Sequence, residues 1–154
     1  MGFPKIVAYV IVGIAASSTA LARDYVVDLN ATLAPNTCSD GWIQFGWDGK
    51  SKMYFCQKTV NRTPSSAVVD VNAYVPKSKP RCEQEFGEGW EQFAYDKKAN
   101  LRYCMLKGDP EESEQYVSKM DIIGRGECDD LDGRGWDKIA YNGKSELTLC
   151  ARFR

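Results

Sequence analysis

The chain has 154 residues, six cysteines, no histidine and a formal net charge of −1. That length fits a single folded unit. The missing histidine excludes most zinc sites, the Ser-His-Asp triad and the Cys-His dyad. A near-neutral balance excludes a dedicated nucleic-acid binder, which needs a clear Lys/Arg excess on one face, and 44% hydrophobic residues exclude disorder by composition.

The first element is an export signal over residues 1–22. Lys5 supplies a positive n-region, the run Ile6 to Ala16 an apolar h-region, and Ala20-Leu21-Ala22 a small-x-small cleavage site. The run is too short for a membrane anchor, which needs about 20 residues, and no second apolar stretch follows. The mature chain, 23–154, is therefore expected to be soluble and secreted: extracellular, or periplasmic if the host is a bacterium. All six cysteines lie in it, so disulfides are the default. Asn30-Ala31-Thr32 and Asn61-Arg62-Thr63 are sequons, making Asn30 and Asn61 glycosylation candidates in a eukaryote.

Next comes a strand-like string, Tyr25–Leu33, followed by a block containing Gly41-Trp42, Phe45, Trp47 and Asp48. Both recur. The string returns as Ala67–Val75 and, with drift, as Tyr116–Ile123. The block returns as Gly89-Trp90, Phe93, Tyr95, Asp96 and as Gly135-Trp136, Ile139, Tyr141, Asn142. Each block reaches a lysine two residues later (Lys50, Lys98, Lys144) and a cysteine 14 residues after its tryptophan (Cys56, Cys104, Cys150). Each is preceded by Cys38, Cys82 or Cys128. The repeat is about 46 residues long, giving copies over 23–60, 61–108 and 109–154.

Inside a copy the period is 2, the strand period. Strict alternation puts Ile43, Phe45 and Trp47 on one face, and Trp42, Gln44, Gly46 and Asp48 on the other. Asp48-Gly49 and Asn142-Gly143 read as tight turns with positive φ. Return strands alternate through Met53 and Phe55, Leu101 and Tyr103, Leu147 and Leu149. Each copy is thus a strand plus a β-hairpin. Repetition favours the pairing closed within each copy: Cys38–Cys56, Cys82–Cys104, Cys128–Cys150. Segments 57–66 and 105–115 read as linkers. The fold class is all-β, expected as one pseudo-threefold domain resembling a β-trefoil or β-prism, the alternative being three tandem disulfide-stapled modules.

Function is expected to be binding. Flat aromatic surface beside carboxylates, amides and ammonium groups suits sugars, whose C–H faces stack on a ring while their hydroxyls hydrogen-bond. Three equivalent sites are expected: Trp42, Gln44 and Asp48; Trp90, Gln92 and Asp96; Trp136, Lys138 and Asn142. The same tryptophans could instead pack against the neighbouring disulfide. Lys50, Lys98 and Lys144 would form a triad at one end. The acidic loop Asp129, Asp130, Asp132 lacks the distal glutamate of a helix-loop-helix calcium site. No cofactor, metal or catalytic residue is expected, because active sites are seldom copied three times. The partner is a glycan or an extracellular protein, not nucleic acid. The alternative function is a secreted effector, toxin or inhibitor acting through protein contact, or a structural protein of an extracellular coat.

Overall fold

The computed structural model describes residues 23–78 and 81–154, so the export signal at 1–22 lies outside the described residues. The fold is all-β. The strands are β1 (Tyr25–Leu33), β2 (Ile43–Asp48), β3 (Met53–Val60), β4 (Ala67–Tyr74), β5 (Trp90–Asp96), β6 (Leu101–Gly108), β7 (Val117–Ile123), β8 (Trp136–Asn142) and β9 (Leu147–Phe153). A short helix α1 (Cys82–Phe86) and a 3-10 turn at Cys128–Asp130 precede β5 and β8.

The strands form three antiparallel sheets with identical topology: β1-β3-β2, β4-β6-β5 and β7-β9-β8. Among the described residues no strand of one copy pairs with a strand of another, so the copies meet as the sides of a three-sided prism, not as a continuous trefoil barrel. Segments 57–60 and 105–108 belong to β3 and β6, so those stretches are not linkers. One hydrophobic core holds the inner faces together, with Val26, Leu29 and Phe55 from the first copy, Val68, Val71 and Tyr103 from the second, and Val117, Met120 and Leu149 from the third. The contacts between copies close a ring: β1 meets β5, β4 meets β8, and β7 meets β2.

All three within-copy disulfides are present: Cys38–Cys56, Cys82–Cys104 and Cys128–Cys150, with Cα–Cα distances of 5.7, 5.8 and 5.7 Å. Each ties the loop entering a hairpin to the outer face of the return strand.

A repeated β-bulge overturns the strict alternation. Gln44 is opposite Cys56, but Gly46 is opposite Phe55, leaving Phe45 as the extra residue. The same shift occurs at Gln92/Ala94 and Lys138/Ala140. One extra residue inverts the facing of everything after it. Phe45 and Phe93 stay in the core, while Trp47 packs on Tyr54 across the outer face, ring centroids 4.2 Å apart, and Tyr141 is exposed. Asp48, Asp96 and Asn142 are thereby swung inward, where all three are buried.

The turns differ from the expected two-residue form too. Positive φ falls on Lys52, Asn100 and Glu146 at the ends of longer turns, not on Gly49 or Gly143. The reason lies in the inward residue: Asp48 Oδ1 accepts the amides of Lys50 and Ser51 at 2.9 and 3.1 Å. Asp96 and Asn142 do the same for the amides of Lys98 and Ala99, and of Lys144 and Ser145.

Candidate functional site

The nine residues expected to form three surface sites divide into two groups. Asp48, Asp96 and Asn142 meet near the pseudo-threefold axis at the turn end. Asn142 Nδ2 donates to Asp96 Oδ2 at 2.7 Å and to Asp48 Oδ2 at 3.4 Å, and Ser145 Oγ donates to Asp48 Oδ2 at 2.6 Å. These side chains do not share a surface with the tryptophans. The lysine triad also turns inward on itself: Lys50 Nζ donates to the Lys144 carbonyl and Lys98 Nζ to the Lys50 carbonyl.

Trp42, Trp90 and Trp136, with Gln44, Gln92 and Lys138, remain on the outer face above the disulfides. Gln44, Gln92 and Lys138 are exposed, and Lys138 Nζ lies 5.7 Å from the Tyr141 ring centroid. The loop that crosses each tryptophan decides its surroundings. In the third copy Trp136 is buried against Cys128–Cys150, with Ile123 and Leu131 packed alongside, and its indole N–H donates to the Asp132 carbonyl at 3.1 Å. The acidic loop is held by reciprocal capping between Glu127 and Asp130. In the second copy α1 delivers Phe86 onto Trp90, ring centroids 4.9 Å apart, and Phe86 meets Tyr74 edge-on at 5.4 Å.

The first copy has the shortest of these loops, 34–42, and no helix in it. What remains is an open cleft of 660 Å³ beside the half-buried Trp42, lined by Asn30, Thr32, Asn36, Thr37 and Asp40 among others. That volume lies in the ordinary range of small-ligand sites. Sequence reasoning singled out Trp42 but not its polar neighbours. The signal for them was the shortening of the first loop to Ser39-Asp40, where the other copies carry longer acidic segments.

No protein-family model matches the chain, and no curated protein matches it. Among the described residues, no helix is long and apolar enough to cross a membrane.

Proposed function

We propose that the protein is exported and acts without catalysis, as a lectin-like glycan-binding protein whose sugar site is the cleft at Trp42. The observation that carries this reading is the difference between copies: Phe86 packs on the half-buried Trp90, the 124–135 loop buries Trp136, and the first copy leaves a polar-walled cleft at the equivalent tryptophan. Ring faces flanked by hydroxyls, amides and one carboxylate suit a pyranose. Three disulfides support an oxidising, extracellular destination.

A glycan array read alongside intrinsic tryptophan emission tests the site. Trp42→Ala should abolish binding of a neutral sugar hit while leaving the melting temperature nearly unchanged. Trp136→Ala should instead destabilise by about 3 kcal/mol, as a buried aromatic does, and keep binding under conditions where it is folded. Retained binding in Trp42→Ala would place the sugar site elsewhere, and the absence of any neutral sugar hit would move the reading to contact with an extracellular protein.

A further inference from the structure

The three seams of the prism occupy equivalent positions but carry different chemistry. Where the first copy meets the second, Lys107 Nζ sits 2.9 Å from Asp28 and 3.3 Å from Glu91, so charge is neutralised locally. Superposing the repeats by their cysteines, tryptophans and bulges puts Lys119, Thr59 and Ile43 at the corresponding positions where the third copy meets the first. The acid has become a base and its partners have become neutral. A cleft of 1450 Å³ opens there, with Arg23, Arg62, Lys119, Arg152 and Arg154 on its walls against the single acid Asp24.

The inversion at 119 carries a structural compensation. In the first two copies the bulge aspartate accepts the next amide: Asp28 Oδ1 from Leu29 N at 3.0 Å and Asp70 Oδ1 from Val71 N at 2.8 Å. Lys119 cannot accept. Gln57, buried on the facing strand, takes its place and accepts Met120 N at 3.0 Å. Lys119 also pairs across the sheet with Arg152, two like charges side by side, an arrangement unfavourable until an anion joins them. Arg152 is held in position by its Nε donating to the Arg134 carbonyl at 3.0 Å. Among the described residues, none of the five cations forms an ion pair.

We propose that this seam is a second binding site, a groove for a linear anionic glycan bearing sulfate or carboxylate groups. Four of its five cations are arginines, whose planar forks match oxyanions two bonds at a time. Thr59, Asn61, Thr63 and Ser118 in the same cleft offer hydrogen bonds to sugar hydroxyls. Bases of a nucleic acid would find no stacking platform, because the nearby Tyr25 and Tyr116 are buried and stacked on each other at 4.4 Å.

The test is a binding titration of the oxidised protein with labelled heparin and polygalacturonate oligosaccharides. Neutral dextran, polyglutamate and single-stranded DNA serve as controls. At least one anionic glycan should bind, more weakly as salt rises. Lys119→Asp, which restores the residue type of the other seams, should weaken it about tenfold or more. Arg62→Gln, an exposed position, should weaken it in the same direction. Trp42→Ala and the double variant Lys50→Gln/Lys98→Gln should leave it unchanged. Heparin selectivity would assign the groove to sulfate, and polygalacturonate selectivity to carboxylate. Equal binding of polyglutamate or DNA at matched charge would overturn the glycan assignment. Unchanged affinity in Lys119→Asp and Arg62→Gln, or no anionic glycan bound at all, would overturn the site. The Trp42 cleft is read out by neutral sugars, so either site can fail alone.

Discussion

Asn142 is the residue at which perfect threefold symmetry would be harmful. Its counterparts are Asp48 and Asp96, and the three side chains share a buried spot. Three carboxylates there would repel without a donor between them. The asparagine amide supplies that donor and bridges both aspartates, while its Oδ1 still caps its own turn as theirs do. Burial pushes the Asp96 carboxyl up, but the neighbouring Ser51 hydroxyl together with hydrogen bonds from the Ala99 amide, Asn142 and the Lys98 amide outweighs it and holds the group below the usual carboxylate range. A depressed folded-state pKa stabilises above the unfolded value, and that contribution is lost as pH falls through the folded one. Urea midpoints of the native protein should therefore fall as the pH drops below about 4. Asn142→Asp should reverse the slope. One carboxyl of the trio would titrate above its unfolded value, so the penalty would grow as pH rises from about 4 and reach about 3 kcal/mol near neutrality. A variant as stable as the native protein at pH 7 would show that the amide bridge contributes nothing.

At the scale of the element, the bulge is what sequence periodicity could not reveal. The repeat, its three hairpins and its disulfide pairing were all legible, because Gly-Trp and the cysteines return at fixed offsets. A bulge repeated in every copy leaves no insertion to align against, so Phe45 and Trp47 looked like neighbours on one face although they lie on opposite sides of the sheet. The candidate site was half legible for the same reason: Trp42 precedes the bulge and kept its expected face, and Asp48 follows it and did not. The linker reading of 57–66 and 105–115 failed over 57–60 and 105–108, because the return strands run on past the cysteines to Val60 and Gly108, and held for the connecting stretches 61–66 and 109–115. Directly after the bulge lies a small residue, Gly46, Ala94 or Ala140. A Cβ on Gly46 would come within 2.6 Å of the Ile122 side chain, which is larger than its counterparts Ala31 and Ala73. Size is thus balanced across the seam between the first and third copies: glycine against isoleucine, where the other copies carry alanine at both positions. Gly46→Ala should cost about 1–3 kcal/mol by overpacking, and Ile122→Ala at least as much by leaving a void. The double variant reproduces the alanine pair and should recover much of the loss. A double-mutant cycle by chemical denaturation measures this, and strict additivity would mean that the two positions do not pack as a unit.

At the scale of the molecule, the closed ring of seams predicts how the protein unfolds. A unit of about 45 residues buries too little apolar surface to be stable without help. Each copy has its own disulfide, and independent modules would lean on that alone. Here the inner faces of all three sheets contribute to one core, and Gln57 binds the main chain of Met120 across the seam that joins the first copy to the last. Loss of any copy therefore exposes the core of the other two. Calorimetry of the oxidised protein should show one transition. Replacing Cys82 and Cys104 by alanine removes a cross-link between residues 22 apart, worth about 3 kcal/mol in the chain-entropy model, and should lower that single transition by roughly 10 °C. The other two copies should unfold with it, at the same temperature. An excised second copy, residues 61–108 with its disulfide intact, should be unfolded by circular dichroism. A separate low-temperature transition in the double-alanine variant, or a folded excised copy, would mean that the three units are stable modules and that the shared core is incidental to their folding.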